Sequence, residues 1–83
     1  MSVRWRKFNE WKTYTITFLL HLPPLGSEGE LAKTALIEGL RMLKLRDLGH
    51  FLLKLHQFSV KFNVPLKDVM PTPEEVDEFF GTS

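Results

Sequence analysis

The sequence predicts an α+β domain in which one long β-strand precedes two main helices and a short C-terminal helix. Three patterns carry this prediction: apolar and polar residues alternate in residues 12–22, a helical repeat runs through residues 28–62, and a capping motif precedes residues 73–80. The 83 residues have the length of one domain with a small core. A hydrophobic content of 43% is typical of a folded chain.

The first 12 residues form a basic arm that also carries aromatic rings. Four cations stand against Glu10 and give the arm a local charge of +3. Cations of this kind neutralise phosphates, and tryptophan rings stack on exposed bases. The candidate nucleic-acid-binding residues are Arg4, Trp5, Arg6, Lys7, Trp11 and Lys12. The alternative is that both tryptophans pack in the core with Phe8 while the cations face water.

The conformation of this arm stays open between two readings. Residues 3–8 alternate in a way that permits a short strand, which would form a hairpin with residues 12–22. The three-residue spacing of Trp5, Phe8 and Trp11 equally permits an amphipathic helical turn. We favour the strand or an extended arm.

Residues 12–22 carry the strongest strand signal. Tyr14, Ile16 and Phe18 alternate with threonines, and both residue types favour strands. Pro23 and Pro24 then end the segment, because proline cannot donate to a β-ladder. A single strand leaves its backbone polar groups unpaired, so this segment predicts pairing with residues 3–8 or with a second molecule.

The order of one strand and two helices resembles that of the ribbon-helix-helix regulators. In that family two chains pair their strands and place the outward side chains in the DNA major groove. The resemblance implies that Thr13, Thr15 and Thr17 would be the outward set. It covers the order of elements only, and the Pro23–Pro24 loop departs from the family's pattern.

Residues 28–44 are predicted to form the first main helix. Ser27 and Glu30 have the spacing of a capping box, which places the helix start at Glu28. Gly39 lies inside the helix at a cost of about 1 kcal/mol relative to alanine. The close approach of another element is the expected reason for it.

Residues 47–62 are predicted to form a second helix that is apolar over most of its circumference. Such a helix must be buried on most sides, and a short chain has little material to cover it. No proline separates residues 28–62, so one long helix is possible, but a turn near residues 44–47 is favoured. A homodimer is expected. Its candidate interface residues are Tyr14, Ile16, Phe18, Phe51, Leu55, Phe58 and Phe62.

The last 21 residues have a charge of −4 and contain a second capping box, Thr72 to Glu75, with Pro73 at the first helical position. The predicted acidic helix 73–80 is too short to be stable alone and must dock. Its candidate docking residues are Val76, Phe79 and Phe80. The basic arm of the same or a partner chain is the expected acceptor.

Catalytic and cofactor motifs are weak throughout the sequence. There is no cysteine and no glycine-rich phosphate loop, and His21, His50 and His56 lack the spacing of a metal site. We expect no cofactor, no metal and no transmembrane segment, with a cytoplasmic location.

The predicted function is a small, non-enzymatic, homodimeric regulatory module that acts through protein contacts. The second hypothesis is a nucleic-acid-binding regulator that uses the basic arm or the threonine face. The third is an enzyme whose site forms at a dimer interface around His50 or His56.

Overall fold

The computed structural model describes the backbone of residues 3–81 and the side chains of residues 7–81. Over that range the chain has four α-helices, a short 3-10 turn and no β-strand, so the predicted α+β class is wrong and the domain is all-helical. The elements are α1 (Val3–Leu20), α2 (Gly26–Arg41), the 3-10 turn (Leu45–Asp47), α3 (Leu48–Phe62) and α4 (Pro73–Phe80).

The predicted strand at residues 12–22 lies mostly within α1. The threonines are accommodated because their hydroxyls bond to the helix backbone: Thr15 Oγ1 donates to the Trp11 carbonyl at 2.8 Å, and Thr17 Oγ1 donates to the Thr13 carbonyl at 2.9 Å. Thr15 is completely buried, so this bond satisfies a hydroxyl that water does not reach.

The face that α1 buries follows a helical period. Phe8, Trp11, Thr15 and Leu19 are all buried, and their spacing of three or four residues places them on one side of a helix. Tyr14, by contrast, is 54% exposed. Tertiary packing of the helical stripe has therefore overridden the local strand preference of the alternating segment.

Two further expectations fail with the strand. Residues 3–8 belong to α1, so there is no hairpin between them and residues 12–22. The ribbon-helix-helix resemblance also fails, because a pair of strands would be needed to present the threonines to DNA.

Helix α2 begins at Gly26, two residues before the predicted start. Leu25 is the N-cap residue and makes no side-chain capping bond, so the predicted Ser27 cap is wrong. Glu30 instead accepts a hydrogen bond from the Leu25 backbone N–H at 3.1 Å and pairs with Lys33 at 2.9 Å. The Lys33 hydrogen bond, followed by the Leu25 amide, lowers the pKa of Glu30 from its usual value.

Helices α2 and α3 are separate, and they pack closely at Gly39. A β-carbon at Gly39 would lie 3.0 Å from Cε1 of Phe51, which confirms that this glycine permits a close approach. Gly29 is tighter: a β-carbon there would lie 2.5 Å from Cβ of Leu25. A side chain at Gly39 would crowd the Phe51 ring of α3, and one at Gly29 would clash with the N-cap residue of α2 itself.

The hydrophobic core joins all four helices and the loop before α4. Its largest fully buried side chains include Phe8 on α1, Leu40 on α2, Leu55 on α3 and Val69 in the loop. Trp11 ties the loop to α1, because its indole Nε1 donates to the Val69 carbonyl at 2.7 Å. The molecule measures 40 × 20 × 19 Å along its principal axes.

Helix α4 packs on α1 and is capped as predicted. The Thr72 hydroxyl accepts from the Glu75 backbone N–H, and the Glu75 carboxylate accepts from the Thr72 N–H, which confirms the capping box. Phe79 is buried against the rings of Phe8 and Trp11, with centroids 5.7 and 5.9 Å away. Aromatic contacts therefore anchor the last helix to the first.

Candidate interaction site

A cleft of about 360 Å³ runs between α2 and α3. Its α2 wall consists of small residues, Ala32, Ala35 and Gly39. These positions follow one face of α2, and Glu28 stands on the same side at one end of the cleft. The apolar residues at its base are Leu36, Phe51, Phe58 and Phe62.

The α3 wall of this cleft is polar and cationic. Lys54, Gln57 and Lys61 recur at three and four residues, which places them in one row along α3. Lys61 Nζ lies 3.4 Å from Glu28 Oε2 across one end of the cleft. The cleft is thus an apolar groove with lysines on one edge and small residues on the other.

A smaller cavity of about 280 Å³ adjoins this cleft. The two share Gly39, Phe51 and Lys54, and the smaller one continues towards Met42, which is 78% exposed. Asp47 and His50 also line it. The concave surface therefore extends along the α2–α3 contact to the turn that connects the two helices.

A second surface lies on the outer side of α3. Leu53 is 52% exposed and Val60 is 68% exposed, and a seven-residue spacing places them on one face with His56 between them. Gly49 is on the same face, and nothing lies within 4 Å of the position its β-carbon would take. This outer stripe points away from the core.

The residues predicted to bind nucleic acid lie in different environments in the structure. Trp11 is buried and bonded to Val69. Lys12 Nζ donates to the Leu43 carbonyl at 3.0 Å and lies 5.1 Å from the Phe8 ring centroid. Burial lowers the pKa of Lys12. Lys7 is exposed, and the side chains of Arg4, Trp5 and Arg6 lie outside the described residues.

Most predicted dimer-interface residues of α3 are used within the chain. Phe51, Leu55 and Phe58 are buried in the core, and Phe62 is partly buried beside Phe58 with ring centroids 5.1 Å apart. The chain supplies this cover through the core that these residues share with the other helices. On α1, Ile16 and Phe18 are partly buried and Tyr14 is exposed.

The three predicted docking residues of α4 have different environments. Phe79 is 3% exposed and Val76 is partly buried against the core. Phe80 is 42% exposed. Within the described residues, then, Phe79 provides most of the apolar contact between α4 and α1.

The two histidines of α3 do not come together in one site. His50 and His56 are both exposed and lie on different sides of α3. In residues 3–81, no cluster of three or more histidine and acidic side chains has the geometry to hold a metal ion. No helix in the same range is long and apolar enough to cross a membrane.

The cleft was not predicted from the sequence, although its components were visible. The small residues Ala32, Ala35 and Gly39 recur on one face of α2, and Lys54 and Lys61 recur seven residues apart on α3. These patterns indicate a smooth helix face and a cationic edge. Their combination into a groove depends on how the two helices pack.

No protein-family model matches this sequence, and no curated protein or solved structure matches it either. The cleft and the outer stripe are therefore the features from which a function can be argued.

Proposed function

We propose that the protein is a non-enzymatic interaction module that binds an amphipathic helix of a partner protein in the α2–α3 cleft. The observation that carries this proposal is the shape and composition of the cleft. It combines an apolar base with a wall of small residues, Ala32, Ala35 and Gly39. Helix-in-groove recognition uses such surfaces, into which a helix inserts apolar side chains at i, i+3, i+4 and i+7.

The dimensions of the cleft fit a short helix. Ala32 to Gly39 on α2 and Phe51 to Phe58 on α3 each span seven residues, or about 10 Å along the helix axis. A ligand helix of three turns covers that length. The small side chains of α2 allow the ligand backbone to approach, and the rings of α3 provide apolar contact area.

The experiment is an NMR titration of the isotope-labelled protein with designed amphipathic helical peptides. We expect the largest amide shifts at Ala32, Ala35 and Gly39. Ala35→Trp should fill the cleft and weaken binding at least tenfold. Leu31→Trp is the matched control, because Leu31 is also on α2, is 74% exposed and does not line the cleft. Equal binding by both variants would contradict the proposal.

Self-association is a second candidate, and the outer stripe of α3 supports it. Leu53 and Val60 expose apolar surface at a seven-residue spacing. Two copies could therefore bury these side chains against each other. Light scattering tests this: Leu53→Glu should convert a dimer to a monomer, whereas Met42→Glu, at another exposed apolar residue, should not.

Nucleic-acid binding by the basic arm receives less support. Trp11 and Lys12 both have structural partners, which leaves Lys7 as the exposed cation of the set whose side chain is described. An oligonucleotide titration at low and moderate salt tests this alternative, because phosphate contacts weaken steeply with salt.

A further inference from the structure

We propose that the α2–α3 cleft selects partner helices that carry two carboxylates seven residues apart along one edge of an apolar face. This inference rests on the proposed function and adds the charge pattern of the partner. It follows from the positions of Lys54 and Lys61, from the state of each lysine, and from the uncharged wall opposite them.

The spacing of the two lysines sets the spacing of the carboxylates. Lys54 and Lys61 are seven residues apart on α3, which is about 10.5 Å along the helix axis. A ligand helix that lies along the cleft repeats the same rise per residue. Acidic residues at i and i+7 of the ligand therefore meet both ammonium groups at once.

Both lysines are available to a ligand. Lys54 is exposed and forms no ion pair with a carboxylate of residues 7–81. Lys61 is paired with Glu28, but the distance is 3.4 Å and the two side chains are 62% and 75% exposed. An exposed pair of this kind contributes little stability, so a ligand carboxylate can replace Glu28 at small cost.

The α2 wall of the cleft restricts the carboxylates of the ligand helix to the edge that faces α3. Ala32, Ala35 and Gly39 offer no cation, and Glu28 stands at the α2 side of the Lys61 end. A ligand carboxylate on the α2 side would therefore face an apolar wall or another carboxylate. The favoured ligand is acidic along its α3 edge and apolar or small along the other.

Helix α4 of a second copy of this chain does not have the charge pattern of the inferred ligand. It is acidic and amphipathic, with Phe79 buried and Glu74, Glu75 and Glu78 exposed. Its chemistry is therefore similar to that of the inferred ligand. It is only eight residues long, however, and no two of its carboxylates are seven residues apart. The partner we infer is therefore a different protein.

The experiment compares three peptides with one apolar face and either Glu, Gln or Lys at positions i and i+7. Binding is measured by calorimetry to the wild-type protein, to a K54E/K61E variant and to a K44E/K67E control. Lys44 and Lys67 are exposed and do not line the cleft, so the control has the same net charge as the test variant.

We expect the Glu peptide to bind the wild type about three- to tenfold more tightly than the Gln peptide, since two exposed ion pairs of about 0.3–0.7 kcal/mol each give that ratio. The Lys peptide should bind weakest. K54E/K61E should reverse this order, and K44E/K67E should preserve it. The preference should shrink as salt is added.

Other outcomes separate this inference from the proposed function. If all three peptides bind equally and Ala35→Trp blocks them, the cleft binds helices but the charge pattern is wrong. A preference for Glu that survives K54E/K61E would overturn the pattern as well, because it would come from contacts other than those of Lys54 and Lys61. Absence of binding by every peptide would overturn both proposals.

Discussion

Replacing Phe79 by alanine tests how the last helix is held. Phe79 is 3% exposed and its ring lies 5.7 Å from Phe8 and 5.9 Å from Trp11. Truncating a buried phenylalanine costs about 3–5 kcal/mol, and two aromatic contacts place this site in the upper half of that range. A domain of this length has a total stability of about 4–12 kcal/mol.

The cost has an upper limit, because α4 can detach. A helix of eight residues is not stable alone, so a weakened α4 unfolds locally before the remaining helices do. Because detachment of α4 limits the loss, we expect Phe79→Ala to lower the free energy of unfolding by about 3 kcal/mol, the lower end of that range, and to speed amide exchange in α4. Urea unfolding followed by circular dichroism measures the first effect, and hydrogen exchange measures the second.

The neighbouring ring provides the control. Phe80 has the same side chain in the same helix but is 42% exposed, so Phe80→Ala should cost less than about 1 kcal/mol. Equal losses for the two variants, or a loss below about 0.5 kcal/mol for Phe79→Ala, would refute the reasoning that one ring anchors α4.

Three further predictions concern single bonds and one backbone conformation. Trp11→Phe keeps a ring but removes the donor to the Val69 carbonyl, and should cost about 1–3 kcal/mol in urea unfolding. Asn63 ends α3 with φ of 55°, so Asn63→Ala should lower the unfolding free energy by about 1 kcal/mol while Asn63→Gly should not. Lys33 lowers the pKa of Glu30 in the folded state. The ionised Glu30 carboxylate therefore contributes its full stability above about pH 4.3, and this contribution is lost as pH falls through the folded pKa. Thermal unfolding from pH 6 to pH 3 should thus show a steeper loss for the wild type than for Glu30→Gln.

Part of the C-terminal half of the fold was predictable from the sequence. The capping box at Thr72 and the bounds of α4 agree with the structure, and Gly39 lies where a close approach was expected. These predictions depend on neighbouring residues, which the sequence displays directly.

The N-terminal helix was not predictable by the same reasoning. Thr15 is part of the buried stripe of α1, but as a polar residue it counted towards the alternating pattern of a strand. Its burial is possible only because the hydroxyl bonds to the Trp11 carbonyl, a partner that exists in the helical conformation. In the sequence-based prediction, the period-2 alternation therefore outweighed the helical stripe formed by Phe8, Trp11 and Leu19.

The candidate site was only partly visible, for a related reason. The cations and small residues could be read from the chain, but the groove requires α2 and α3 to pack at a set distance. That distance is fixed at Gly39 by the Phe51 ring, which is a contact between residues far apart in sequence. One of the two arguments for a dimer has the same origin, since it assumed that little of the same chain would cover Phe51, Leu55 and Phe58, which are buried here. The dimer itself stays a prediction.

The aromatic contact between α1 and α4 also determines the order in which the molecule can fold. Phe8 and Trp11 are synthesised early, but their partners Val69 and Phe79 follow about 60–70 residues later. During translation the apolar face of α1 therefore lacks part of its cover until nearly all of the described chain has left the ribosome. Loop closure over that distance must precede these contacts, so the core around Phe8 and Trp11 is completed only when residues 69–79 reach it.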